Sequence, residues 1–398
     1  MTHLTERRDT ALGPRTTLLL ALTCAVAVGN VYFPQAIVPL IAAGLHVPPG
    51  SAALAVTATQ VGYTAGMFLL VPLGDRLRHR SLLVVLLALT GPALLLAGCA
   101  PNLPVLVVAS ALVGLTTVAA QVVGPLAVAL VGAERRGAVI GTLLSGSIGG
   151  MLLARAFSGA LGEWLGWRVP YLAAAALTLL LAAVAARAVP VVAPPPRQPY
   201  PALLAGALRL LRTEPELRRS CCYQATVFAG FSAVWTCLAL LLSGPVYGAG
   251  AQVVGLLALV GGATMCATPL AGRLVDRRGP DPVNLGCLLA VLAAAAVLAA
   301  GALGGVPGLS ALVLGTLLLD VAMQCGAVAN QARVYALRPD ARSRLGTAYM
   351  TCAYLGGSAG SWLGVRVYGW AGWPGVCGLV AVLAALALVR HLAGAGRG

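Results

Sequence analysis

Apolar positions in this chain fall in long unbroken blocks separated by short polar gaps. The blocks cover approximately 16–40, 52–73, 81–100, 104–131, 137–161, 168–189, 219–243, 252–271, 283–303, 309–334, 345–367 and 371–391. A helix needs about 20 apolar residues to cross a hydrocarbon core of about 30 Å. A membrane-spanning strand alternates apolar and polar residues, and stretches such as Ser81 to Ala100 do not. The pattern therefore predicts an all-α membrane protein with twelve transmembrane helices. Arg7, Arg8 and Arg15 precede the first block, as in a secretory signal. That block is too long for a signal's apolar core, and no small-x-small cleavage site follows, so it reads as an uncleaved first span.

The gaps set the orientation. Arg76, Arg78 and Arg80 follow block 2, Arg135 and Arg136 follow block 4, and Arg197, Arg209, Arg212, Arg218 and Arg219 follow block 6. Arg273, Arg277 and Arg278 follow block 8, and Arg338, Arg342 and Arg344 follow block 10. The opposite gaps hold little beyond Arg168 and Arg366. Basic loops stay on the cytoplasmic side, which places both termini there. The one long gap, 190–218, opens with Pro190, Pro194, Pro195 and Pro196. It reads as a cytoplasmic linker with a short surface helix from Ala202 to Arg212. It separates a first six-helix bundle, 1–189, from a second, 219–398.

The two sets of six repeat one another. Gly141-Thr142, Gly149-Gly150 and Gly166-Trp167 in the first half reappear as Gly346-Thr347, Gly356-Gly357 and Gly372-Trp373. The offset is nearly constant at about 205 positions, as a duplicated unit requires. Two pseudo-symmetric six-helix bundles are an architecture of alternating-access transporters, whose solute sites lie near the bilayer midplane between repeats.

Composition agrees. Only 9% of residues are charged and 59% are apolar, whereas soluble domains carry about 25% charged residues. The net charge of +15 comes entirely from arginine, with no lysine. These arginines sit in loops between spans, so a nucleic-acid surface is not implied. The Ala, Gly and Leu bias suggests a GC-rich bacterial genome, and with it a bacterial inner membrane. Ten cysteines lie in apolar blocks without CxxC pairs or nearby His, which reads as packing rather than metal binding. No GxxxxGK[ST] loop appears, so ATP is not a direct energy source. No catalytic constellation appears either, and neither enzyme activity nor a cofactor is expected.

Among the eleven acidic residues only Asp320 falls deep in a block. A carboxylate there must face a wet cavity, pair or be protonated, which makes it the candidate proton carrier. Gln324 and Gln331 share its helical face. Arg155 is the one arginine read as lying inside a block, placed to bind an anionic group or to pair with an acid such as Asp320. Block 7 carries Gln224, Phe228, Phe231 and Trp235 on one face, suited to flat or cationic solutes or to ordinary packing. Asn30, Gln35 and Gln121 complete the candidate cavity. Thr57, Gln60 and Thr64 share one face of block 2, and Thr347, Thr351, Tyr354, Ser358 and Ser361 one face of block 11; the hydroxyl and small residues among them suit close helix approach.

Leu73-Gly74-Asp75-Arg76 follows block 2, and Gly272-Arg273-Leu274-Val275-Asp276-Arg277-Arg278-Gly279 follows block 8. With these loops the chain resembles the major facilitator superfamily, whose GxLxDRxG loop the second copy matches fully. The resemblance covers nearly the whole length and implies the major facilitator fold. It also implies a cytoplasmic gate at Asp75, Arg76, Asp276 and Arg277. Asn30 to Gln35 and Glu134 to Gly137 resemble twelve-span bacterial proton-coupled exporters; Ser110 and Ser147 depart from that pattern, which has Arg and Pro there. The expected function is secondary active efflux of a small, largely apolar compound in exchange for protons, by a monomer in the lipid bilayer. The alternatives are a proton-linked importer, a passive facilitator or a membrane-embedded receptor.

Overall fold

The computed structural model describes residues 13–132, 135–191, 199–338 and 341–395. Arg7, Arg8, Glu134, Pro194, Pro195, Pro196 and Arg197 lie outside the described residues. Within them all regular elements are helical. Eleven stretches are long and apolar enough to cross a bilayer: Pro14–Gln35, Pro49–Asp75, His79–Gly98, Leu103–Ala127, Arg136–Leu165, Arg168–Ala188, Pro215–Ser243, Ala251–Arg278, Pro280–Leu303, Gly305–Leu337 and Arg342–Ala393. The last has 52 residues, about 78 Å of helix, more than twice what one crossing needs. Its backbone breaks at Gly372, with φ 63° and ψ −158°. It is two crossings, 342–371 and 373–395, which agrees with the twelve expected. They are numbered spans 1 to 12 in chain order.

Several helices run a few residues past the apolar blocks, among them Arg136–Leu165, Ala251–Arg278 and Gly305–Leu337, and three further departures bear on the site. Span 1 does not run straight to residue 40: it tightens into a 3-10 turn at Phe33–Gln35, and a short helix, Val38–Leu45, follows. Pro34 and Pro39 lack the N–H a continuous helix needs. Span 4 is interrupted between Thr116 and Ala119. Span 7 starts at Pro215, inside the expected linker, because proline suits a first helical turn. The linker does contain a surface helix, Tyr200–Thr213, which buries Leu203, Ala207 and Leu210.

Helix pairing repeats between the halves. Span 1 packs on span 5, span 2 on span 4 and span 3 on span 6; span 7 packs on span 11, span 8 on span 10 and span 9 on span 12. The glycines of the repeat explain themselves here. Gly166 and Gly372 both have positive φ where spans 5–6 and 11–12 turn over, a conformation side chains disfavour. Trp373, after the second turn, donates its indole N–H to the Leu298 carbonyl at 2.6 Å and ties span 12 to span 9. The bundles meet chiefly along span 5 with span 8 and span 2 with span 11. Span 7 is the most enclosed of all. The arginine loops gather at one end, called the basic end below.

Candidate functional site

Two adjoining cavities of about 350 Å³ each lie between the bundles toward the basic end. They share Gln121, Leu144, Ser147, Tyr335 and Met350. The deeper one is bordered by Gln121, Gln224, Gln324 and Gln331 with Phe228, Met323 and several tyrosines, and no charged side chain lines it. The Gln224 side-chain oxygen accepts from the Tyr349 hydroxyl at 3.1 Å, which fixes that amide. The outer cavity reaches Asp75, Arg342 and Ser343 at the basic end. Of the cavity candidates, Gln121, Gln224, Phe228, Gln324 and Gln331 border this space, and the others do not.

Gln35, Arg155, Phe231, Trp235 and Asp320 form a sealed layer farther from the basic end. Arg155 is 0% exposed and donates from Nε and Nη2 to the Gln35 side-chain oxygen, at 3.0 and 2.8 Å. Its guanidinium lies over the Trp235 ring, 4.2 Å from the centroid, with the Tyr32 ring at 5.0 Å. Trp235 donates its indole N–H to Asp320 Oδ1 at 3.0 Å. Among the described residues Arg155 and Asp320 make no direct ion pair; Trp235 stands between them. A desolvated cation–π contact contributes about 2 kcal/mol. Asp320 Oδ2 and Arg155 Nη1 have no hydrogen-bond partner among the described residues. Gly261 makes room for that free oxygen, since a Cβ there would lie 2.7 Å from it.

The layer crosses the domain seam. Arg155 comes from span 5, Trp235 from span 7 and Asp320 from span 10. Arg155→Lys keeps the charge but loses the planar fork that meets Gln35 and lies flat on Trp235. It should lower stability in detergent by about 1–3 kcal/mol, read as a drop in melting temperature; an unchanged melting temperature would count against the layer as a fastening.

Asn30 sits elsewhere. Its amide donates to Thr117 at 3.4 Å and Thr178 at 3.3 Å, joining spans 1, 4 and 6 inside the first bundle. Asp75 Oδ2 accepts from the Ser343 hydroxyl at 2.8 Å, a contact between bundles at the basic end. Arg76 is half-buried, while Asp276 and Arg277 are exposed. The two loop copies thus occupy different surroundings.

Sequence reading missed three features. Arg155 is not the one buried arginine within a span: Arg333 in span 10 is 8% exposed and pairs with Asp281 and Glu216. Arg219 joins the same network, 2.8 Å from Asp281. Both acids lie near helix starts, where hydropathy counts them as loop residues. The second feature is the trio of cavity tyrosines Tyr32, Tyr335 and Tyr349, which join Tyr354 of the span 11 face. The third is Glu163, whose carboxylate accepts from the Ala251 backbone N–H at 2.8 Å, across the bundles at the end opposite the basic loops. No sequence spacing links residues 163 and 251.

Paired six-helix bundles around a cavity sealed at one end define a helical membrane transporter. The profile of the Major Facilitator Superfamily matches residues 18–309. The chain belongs to that superfamily. It is 34% identical over 376 residues to the putative uncharacterized transporter YgaY of Escherichia coli strain K12, covering 94% of each chain. It is 27% identical over 286 residues to a chloramphenicol resistance protein of Streptomyces lividans, covering 65% of this chain and 73% of that one. The crystal structure of a mutant of the peptide transporter POT in complex with alafosfalin superposes with TM-score 0.75 over 94% of each chain, at 18% identity. That likeness concerns the fold.

Proposed function

We propose that this transporter exports uncharged, ring-bearing organic compounds in exchange for protons, from a bacterial inner membrane, as a monomer. The two bundles, 1–189 and 219–398, rock about the central cavity, and the 190–218 linker stays cytoplasmic with both termini. Asp75 and Arg76, with Asp276 and Arg277, gate the cytoplasmic side, which is the basic end.

The observation that carries this reading is the free Asp320 Oδ2 in a layer shared by both bundles. Asp320 lies one helical turn from Gln324, which borders the cavity. A carboxylate with one oxygen held by Trp235 and the other unpartnered has a place for one proton. Taking or losing that proton changes the charge facing Arg155 across the Trp235 ring. Because Arg155 and Asp320 sit in different bundles, that change bears on how tightly the bundles hold together.

The cavity supports the solute class. Its wall offers amide and phenol hydrogen bonds and the Phe228 ring but no charge. A charged solute would be stripped of water there without a counter-charge, at a cost of several kcal/mol. A flat solute with a few polar groups meets both needs. The Streptomyces lividans relative is named for resistance to chloramphenicol, an uncharged aromatic compound, which makes it the first probe.

In proteoliposomes with an acid interior, labelled chloramphenicol should accumulate inside and the accumulation should collapse when the pH gradient is dissipated. Accumulation driven only by an acid exterior identifies import instead. Flux that never exceeds equilibration, whatever the gradient, overturns proton exchange and leaves a facilitator.

A further inference from the structure

We infer that Glu163 is the latch that closes the transporter on the face opposite the basic loops, a positioning role mirroring that of Asp75. The inference rests on alternating access but on neither proton coupling nor the solute.

Glu163 stands at the last turn of span 5, and its Oε2 accepts from the N–H of Ala251, the first residue of span 8. That N–H is one of the donors a helix start leaves without an internal partner. The helix dipole adds a partial positive charge there, so a carboxylate is held by charge as well as by a hydrogen bond.

The surrounding backbone is cut to fit this contact. A Cβ on Gly250 would lie 2.8 Å from Glu163 Oε1, in the space the carboxylate fills. A Cβ on Gly159 would lie 2.6 Å from the Ala251 carbonyl oxygen, and one on Gly255 2.6 Å from Ala156 Cα. Spans 5 and 8 therefore touch backbone to backbone below the latch, along one of the two main seams between bundles. The seam leads inward to Arg155, one turn before Gly159.

The other seam carries the counterpart. Asp75, at the basic end of span 2, accepts from Ser343 in the first turn of span 11. Each membrane face thus has one carboxylate of the first bundle resting on the first turn of a helix in the second. Both contacts are made in this structure, at 2.8 Å each, so opening either membrane face means releasing one of them while the other is kept. Glu163 and Asp75 thereby bias a single two-state equilibrium in opposite directions.

Hydrogen–deuterium exchange of the purified full-length protein tests this without any solute. Glu163→Gln should speed exchange at residues 250–256 and slow it at residues 342–348, each by about two- to fivefold, the range one charged contact at a helix end supplies. Gly250→Ala, which keeps the carboxylate but fills its seat, should shift both segments the same way. Asp75→Asn should shift both in the reverse sense, as coupling through one equilibrium demands. Faster exchange confined to 250–256, with 342–348 unmoved, makes Glu163 a local helix cap and overturns the latch. So does the absence of any change in either segment. A variant that merely misfolds would speed exchange everywhere, and Gly250→Ala then decides the matter.

Discussion

Asp320→Asn should abolish proton-driven accumulation of solute while leaving the protein folded and still able to exchange solute across the membrane. Asparagine has the same shape, and its side-chain oxygen can still accept the Trp235 indole N–H now received by Asp320 Oδ1 at 3.0 Å. What it cannot do is gain and lose a proton at the position of Oδ2, which has no partner among the described residues. The expected reading in proteoliposomes is accumulation no higher than in protein-free vesicles under an imposed pH gradient. Counterflow, in which labelled solute exchanges against unlabelled without any gradient, should survive. Full gradient-driven accumulation by the variant would remove Asp320 from its assigned role. Loss of counterflow together with a large fall in melting temperature would mean the carboxylate is structural. A companion change, Trp235→Phe, keeps a ring beneath Arg155 but leaves both Asp320 oxygens bare. Removing a hydrogen bond to a charged group costs about 1.5–3 kcal/mol, so this variant should be less stable than Asp320→Asn.

The second large effect is expected at the paired glycines of the repeat. A Cβ on Gly150 would fall on the Ala25 backbone, and one on Gly356 on the Ala225 backbone. These are the same joint in the two bundles, span 5 against span 1 and span 11 against span 7. The neighbour in each case is main chain, which cannot swing aside as a side chain can. Overpacking a tight core costs about 1–3 kcal/mol and sometimes more, and helices in lipid hold together largely through such close approach. Gly150→Leu and Gly356→Leu should each lower the melting temperature in detergent sharply and reduce the yield of monodisperse protein. Gly141→Leu is the control, because nothing lies within 4 Å of a Cβ at that position. If all three variants melted alike, close packing at the repeat would not be what stabilises the bundles.

The candidate site was only partly legible in the sequence. Asp320 stood out because a lone acid within an apolar block is rare and costly, and the glutamines at 324 and 331 followed from helical periodicity. Trp235 looked like part of an aromatic stripe; only the fold shows it wedged between the Arg155 guanidinium and the Asp320 carboxylate. Asn30 and Gln35 share a short segment, yet one fastens spans within a bundle and the other holds Arg155. Glu163 was passed over because hydropathy drew span 5 shorter than the helix is; Arg333 lies within block 10 as drawn but close to its end, where it reads as one more residue of the basic loop that follows.

Sequence alone determined that the chain crosses the membrane as helices, in a number with which the eleven long apolar stretches are consistent, and that its halves carry a repeat. Each of these follows from local quantities: the length of an apolar block, the side on which arginines collect, and glycines recurring at a fixed offset. Only the tertiary structure decided which polar groups meet. Arg155, Trp235 and Asp320 are far apart in the chain, and so are Glu163 and Ala251. Their contacts depend on helix rotation and on which spans of the two bundles lie side by side. Backbone approach at small residues sets both, and hydropathy does not register it.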